Sequence, residues 1–213
     1  MPFGEPPDDL PGKPVYTTLP AGTPLHRIHA SRFAPTEFKS KPVTNPFRAG
    51  RFDSATGDFS YLYAARSIAG AAAEALLRDV PQVEVGQPRL LPVAYVDGKR
   101  LSEIRVQRDL LLVDLTGPGA HAFSQDAWLT KCDGVYYPYT QHWAKKIREW
   151  CPNAAGLLWR SRIDDNELVL VIFGDRVTGD ALVKWGRSAN LMLGRGRGLL
   201  GPVLAKYNAE LSL

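Results

Sequence analysis

Proline and glycine interrupt this chain too often to leave room for long elements. It carries 17 prolines and 19 glycines in 213 residues. Proline removes a backbone donor and restricts the residue before it. A bundle of long helices is therefore disfavoured, and short elements joined by many loops are expected. The interruption is densest at the start, where seven prolines (Pro2, Pro6, Pro7, Pro11, Pro14, Pro20 and Pro24) fall within residues 1–24. No regular element is expected there. Residues 1–24 read as an extended arm, lying on the domain or loose in solvent, with docking of a partner as its functional alternative. Residues 25–213 read as a single folded domain.

Within that domain the apolar pattern changes period several times. Leu25-His26-Arg27-Ile28-His29 alternates like a half-buried strand. Residues 30–60 read as loops, punctuated by Pro35, Pro42, Pro46, Gly50 and Gly57. Tyr61-Leu62-Tyr63-Ala64-Ala65 is a second strand, and Ser67 an N-cap for an alanine-rich helix from Ile68 to Asp79. Three further apolar runs follow at Leu90–Val96, Leu101–Val106 and Leu110–Leu115. Gln141–Cys151 is an amphipathic helix with Trp143, Ile147 and Trp150 on one face. Gly156–Arg160 and Glu167–Phe173 read as strands around an Asp164-Asp165-Asn166 turn, and Leu199–Leu211 as a closing helix after a glycine-rich loop. The sum is a mixed α+β domain with many strands, some of them antiparallel.

Composition narrows the function classes. Apolar residues make up 45% of the chain and charged residues 23%, the balance of a globular protein with a substantial core. The formal charge of 26 − 22 = +4 suits an anionic ligand such as a phosphate. It falls short of the clustered charge of a dedicated nucleic-acid binder. No stretch approaches the roughly 18 apolar residues of a membrane span. The opening MPFGEPPDDL lacks the basic and apolar regions of a secretory signal, so a cytoplasmic protein is expected. Cys132 and Cys151 then read as reduced thiols, with one disulfide left open. The histidines His26, His29, His121 and His142 are scattered, and His26 and His29 would project to opposite faces of a strand. No metal site is expected. The common motifs of serine hydrolases, zinc proteases and P-loop enzymes are absent.

A few residues stand out against this background. Glu74 lies in the middle of a helix that is apolar nearly all round. A carboxylate there needs a partner or a function; the plain alternative is an i,i+4 pair with Arg78. Arg27 sits on a strand, and Arg51 follows Gly50 in a loop with Arg48 nearby. Two arginines converging on one cleft would suit a pyrophosphate, because guanidinium forks match phosphate oxygens. Gly194-Arg195-Gly196-Arg197-Gly198 would either cradle a phosphate or mark a helix boundary.

Taken in order, the strand Arg27, Gly50-Arg51-Phe52, Tyr61-Leu62-Tyr63-Ala64-Ala65, the helix with Glu74, and Trp159-Arg160-Ser161-Arg162 resemble the RES domain, named for its arginine, glutamate and serine. The resemblance covers about residues 25–205. Phe52 stands where the family usually has tryptophan, and Ile28 where an aromatic residue is common. The resemblance implies a fold related to ADP-ribosyltransferases: a split mixed β-sheet core with flanking helices and an NAD cleft. It implies breakage of the nicotinamide–ribose bond, by glycohydrolysis or phosphorolysis, with NAD as substrate and no prosthetic group. It also implies a bacterial toxin silenced by a separate helix-turn-helix antitoxin. Oligomeric state stays open, a homo-oligomer included.

On that basis Glu74, Arg27 and Ser161 are the expected catalytic residues. Glu74 would steady the ribose cation, and Arg27 and Arg51 would hold the pyrophosphate. Tyr63 would pack on the nicotinamide or ribose, and Ser161 would bond the nicotinamide ribose or its amide. Two other classes remain: transfer of ADP-ribose to a protein, and a non-catalytic nucleic-acid-binding module stacking bases on Tyr136, Tyr137 and Tyr139.

Overall fold

The computed structural model describes residues 4–43, 49–81 and 83–212. Pro2, Pro46 and Arg48 lie outside the described residues. Ten strands are present: β1 (Tyr16–Leu19), β2 (Pro24–Ala30), β3 (Tyr61–Ala65), β4 (Arg89–Pro92), β5 (Lys99–Val106), β6 (Leu110–Asp114), β7 (Gly156–Arg160), β8 (Leu168–Phe173), β9 (Leu182–Asn190) and β10 (Ala209–Ser212). The helices are α1 (Ile68–Ala72), continued by a π-helical turn over Ala73–Leu77, then α2 (Pro118–His121), α3 (Trp128–Lys131), α4 (Tyr137–Trp150) and α5 (Gly194–Lys206).

Eight strands form one mixed sheet in the order β1-β6-β7-β8-β3-β2-β5-β9, and β4 and β10 form a small parallel pair. Within the large sheet β6 and β7 run parallel and the other neighbours antiparallel. β2 pairs with β5 along its whole length, from Pro24 opposite Arg105 to Ala30 opposite Lys99. Against β3, by contrast, it pairs only at His26 and Ala65. The sheet is therefore split between β2 and β3, which fits the expected α+β architecture and opens the space that the site occupies.

Strand alternation sends successive residues into two different interiors. Along β8, Val169, Val171 and Phe173 join a cluster with Phe52, Tyr61, Phe123, Trp143 and Trp159. Leu170 and Ile172 join an opposite cluster whose buried members are all Leu, Ile, Val or Ala. β7 divides in the same way, with Leu157 and Trp159 on the aromatic side and Leu158 on the aliphatic side. Helix α4 covers the aromatic side with Trp143 and Ile147, as its periodicity predicts. A third cluster joins α1 and the π turn to α5.

Four expectations need correction. Residues 1–24 do contain a regular element: β1 pairs antiparallel with β6, and Leu19 is buried. Ahead of it, the segment from Gly4 to Asp8 lies along α4, where Trp143 Nε1 donates to the Gly4 carbonyl at 3.0 Å and Trp150 Nε1 to the Asp8 carbonyl at 3.2 Å. The closing helix starts at Gly194, not Leu199, and ends at Lys206, with β10 beyond it. The glycine-rich stretch is thus the opening of α5; a Cβ on Gly196 would lie 1.9 Å from the Asn190 carbonyl oxygen, so close packing against the end of β9 requires glycine there. The run from Leu90 to Val96 is a strand only to Pro92 and then a 3-10 turn over Val93–Tyr95. β9 was not anticipated; four of its residues in a row are exposed, so no alternation marks it.

Candidate active site

A cavity of about 380 Å³ opens at the split between β2 and β3. Arg27 from β2, Tyr63 from β3, Arg51 from the preceding loop, and Glu74 and Arg78 from the π turn all line it.

Glu74 owes its position to two local features. Ser67 caps α1, its hydroxyl accepting from Gly70 N at 2.8 Å, so the helix begins where the sequence predicts. From Ala73 the helix widens into a π turn, a form that is rare and recurs at functional sites. Glu74 is half-buried there. Its Oε1 accepts from Ser161 Oγ at 2.8 Å and from Arg162 N at 3.0 Å, both in the turn after β7. The pairing with Arg78 is not made. Arg78 instead bonds Asp79 at 2.9 Å and lies 5.2 Å above the Tyr137 ring. Burial opposes the charge of Arg78, but Asp79, Tyr137 and Glu74 together outweigh it and raise the guanidinium pKa.

Ser161 stands apart from the four other expected site residues, which line the cavity. It is fully buried, donates to Glu74 and accepts from Ile163 N at 3.2 Å. It stands behind Glu74 and is not part of the cavity wall. Its hydroxyl is engaged with the acid.

The two arginines differ in character. Arg27 Nη1 donates to the Pro35 and Glu37 carbonyls at 2.7 and 2.8 Å, which ties β2 to the loop that follows it. Burial lowers its pKa to about 10, partly offset by Glu37, so it remains a cation at neutral pH. Arg51 is 2% exposed, and its Nη1 contacts Cys132 Sγ at 3.0 Å. Its Nε and Nη2 have no hydrogen-bond partner among the described residues. A buried guanidinium in this state is costly unless an anion completes it. Burial pushes the Cys132 thiol pKa up, with Arg51 acting against that rise, so the sulfur does not serve as a counter-ion.

The loop that carries Arg51 is fixed from both sides. Thr140 Oγ1 donates to the Arg51 carbonyl at 2.6 Å, and Gln141 Nε2 to the Gly50 carbonyl at 3.0 Å. Phe52 N donates to the Tyr63 hydroxyl at 2.8 Å. A Cβ on Gly50 would meet Asp53 Oδ1 at 2.3 Å and the Tyr63 hydroxyl at 2.8 Å, so the loop closes only with glycine. Tyr63 therefore lines the cavity and also anchors the arginine loop. Burial pushes its hydroxyl pKa well up, with Asp53 adding to the effect.

Sequence reasoning missed Asp53, Lys39 and the role of Tyr137. Asp53 is 2% exposed, sits on the cavity wall and bonds Lys39 at 3.3 Å. An acidic residue in a loop reads as solvated, so only its place after Gly50-Arg51-Phe52 marked it. Tyr137 is buried between Arg51 and Arg78, 5.1 and 5.2 Å from its ring. That removes it from any exposed stacking surface for bases. Among the described residues no group of three or more histidine, cysteine or acidic side chains is placed to hold a metal. Cys132 and Cys151 are separate buried thiols. No helix is long and apolar enough to cross a membrane.

The RES domain family model matches residues 24–191. No curated protein matches the chain. Among solved structures, the chain is similar to one in the M. tuberculosis MbcT–MbcA toxin–antitoxin complex, at 17% identity and a TM-score of 0.59. The match covers 88% of this chain and 92% of that one. At this identity the likeness shows a shared fold.

Proposed function

Because the chain belongs to the RES domain family, we propose that it degrades NAD by breaking the nicotinamide–ribose bond. One observation carries this reading: a positioned carboxylate, Glu74, shares a cavity with Arg27 and with a buried guanidinium, Arg51, that lacks a full set of partners. Nicotinamide leaves as a neutral ring from a cationic one, and positive charge develops on the ribose carbon. Glu74 lies where it can face that charge, held by two donors that need no rearrangement as the reaction proceeds. Arg27 and Arg51 bind the pyrophosphate, which completes the hydrogen bonding of Arg51. Tyr63 packs on the ribose or nicotinamide. Ser161 positions Glu74 and is not a nucleophile.

An acceptor then attacks the ribose carbon. Water gives ADP-ribose, and inorganic phosphate gives its 1-phosphate. NAD is the substrate and no prosthetic group is required. The similar M. tuberculosis chain is part of a toxin–antitoxin complex, which supports a toxin held by a separate antitoxin; the helix-turn-helix type of that antitoxin and a cytoplasmic location rest on the family resemblance alone.

The test is incubation of purified protein with NAD, with and without phosphate, and identification of products by mass spectrometry. Free nicotinamide with ADP-ribose, or with its phosphorylated form when phosphate is present, is expected. No nicotinamide release overturns the reading, and labelled ADP-ribose appearing on a protein in lysate replaces it with transfer.

A further inference from the structure

A second cavity, about 610 Å³, adjoins the first at Arg78, which lines both. The residues just after the π turn, Arg78 and Asp79, join its wall; β4 supplies Arg89, the turn after β7 supplies Arg162, the link before α4 supplies Asp133, and Tyr207 follows the end of α5. Three guanidinium groups thus share the space with two carboxylates. Asp79 bonds Arg78 at 2.9 Å, and Asp133 pairs with Arg162. Both carboxylates lean to solvent, with side chains 48% and 66% exposed.

Arg89 has no carboxylate partner. It is 7% exposed, and its Nη2 donates to the Leu77 and Val80 carbonyls at 2.8 and 2.6 Å. Those carbonyls satisfy one nitrogen but do not neutralise the charge. Its Nε is buried without a partner among the described residues. Burial and the nearby charge of Arg162 both lower the Arg89 pKa. A nearly buried cation, next to a second cation and lacking a counter-charge, is a site that an anion completes.

We propose that this cavity binds a phosphate group, free or as a monoester, between Arg89 and Arg162, separate from the cavity lined by Glu74. A tetrahedral oxyanion offers enough acceptors for several guanidinium forks at once, and the local balance of three cations to two carboxylates leaves one positive charge for it. The Arg162 backbone N–H bonds Glu74 while its side chain lines the second cavity, so a phosphate here braces the turn that holds the acid. The site stands whether or not the chain cleaves NAD.

The test is calorimetric titration of the full chain with inorganic phosphate and with AMP at low ionic strength. Saturable binding in the millimolar range or tighter is expected. Measured in an Arg27→Gln background, where phosphate held by the first cavity is weakened, Arg162→Gln should weaken the remaining binding about tenfold or more. Arg89→Met should act like Arg162→Gln, but it also frees the Leu77 and Val80 carbonyls, so Arg162→Gln is the deciding variant. AMP binding that depends on Arg162 identifies a monoester ligand, and phosphate binding without AMP binding identifies the free ion. No saturable binding up to about 20 mM in Arg27→Gln, or binding there that Arg162→Gln leaves unchanged, overturns the proposal.

Discussion

The two faces of the large sheet are built from the same strands yet serve different ends. On one face Leu62, Leu158, Leu170 and Ile172 belong to a cluster whose buried members are all aliphatic, with no side-chain hydrogen-bonding demand from any of them. On the other, aromatic rings meet edge-to-face: Phe52 and Trp159 with centroids 5.0 Å apart, and Phe59 with Phe173 at 5.3 Å and with Tyr61 at 6.1 Å. This face also borders the first cavity. Unsatisfied polar atoms gather beside it: Trp159 Nε1 and two nitrogens of Arg51 are buried without partners among the described residues. The aliphatic face holds the sheet together; the aromatic face gives up local satisfaction to keep a cavity and charged groups in place. Departures from local consistency of this kind are expected where a site sits.

That contrast makes the faces separable by mutation, and the largest effect belongs to the cavity. Glu74→Gln should lower NAD turnover about 1000-fold, which corresponds to about 4 kcal/mol of barrier. Its melting temperature should change little, since glutamine still accepts from Ser161 and Arg162. Unchanged turnover in steady-state assays would make Glu74 a structural residue and erase the functional half of the comparison. On the aliphatic face, Leu170→Ala should cost about 2–5 kcal/mol of stability by chemical denaturation, through lost burial and the cavity left behind. The KM for NAD of the folded fraction should stay as it was; a large shift would show that the two faces are not independent.

Smaller effects sharpen the division within the site. Arg27→Ala should raise the KM for NAD about tenfold or more with less change in kcat, the mark of a group that binds ground state and transition state alike. An unaltered KM removes Arg27 from the pyrophosphate site. Ser161→Ala should show the reverse, a kcat about tenfold lower at nearly constant KM, because it takes one of two donors from Glu74 without touching the cavity. Recovery in Ser161→Thr, which restores the hydroxyl, would separate this positioning role from a loss of packing.

How much of this was legible in the sequence depends on how many sides of an element are buried. β3 and β7, flanked on both edges by other strands, occupy Tyr61–Ala65 and Gly156–Arg160 as their apolar patterns predict. β1 and β9 lie at the two ends of the sheet and show little alternation, and the prolines around β1 argued against any strand. Arg27, Arg51, Tyr63 and Glu74 stood out as a spaced set, and the fold brings all four to one cavity. The π turn did not stand out, because its i+5 bonds leave no compositional mark over Ala73–Leu77. The direction of the Ser161 hydroxyl was also hidden. It depends on a helix 87 residues away in sequence, a long-range fact that local pattern does not encode.

The smallest predicted effect comes from β2, the strand that borders the split. Burial lowers the pKa of both His26 and His29 below the usual 6.5, with Glu103 opposing the fall at His26 and the Ala30 carbonyl opposing it at His29. His29 Nε2 lies 2.8 Å from Ser102 Oγ, and both histidines line the first cavity. Below 6.5 the unfolded chain takes up protons that the folded chain resists, so the unfolded state binds more protons across the window down to the lowered values. Stability is then complete above pH 6.5 and is lost as the pH falls through that window. The aliphatic face has no titratable side chain among its buried members and cannot contribute. Melting temperature should therefore drop a few degrees between pH 7.5 and 5.5, and His29→Gln should flatten the dependence. The same slope in His29→Gln as in the unaltered chain would move the proton uptake away from this histidine.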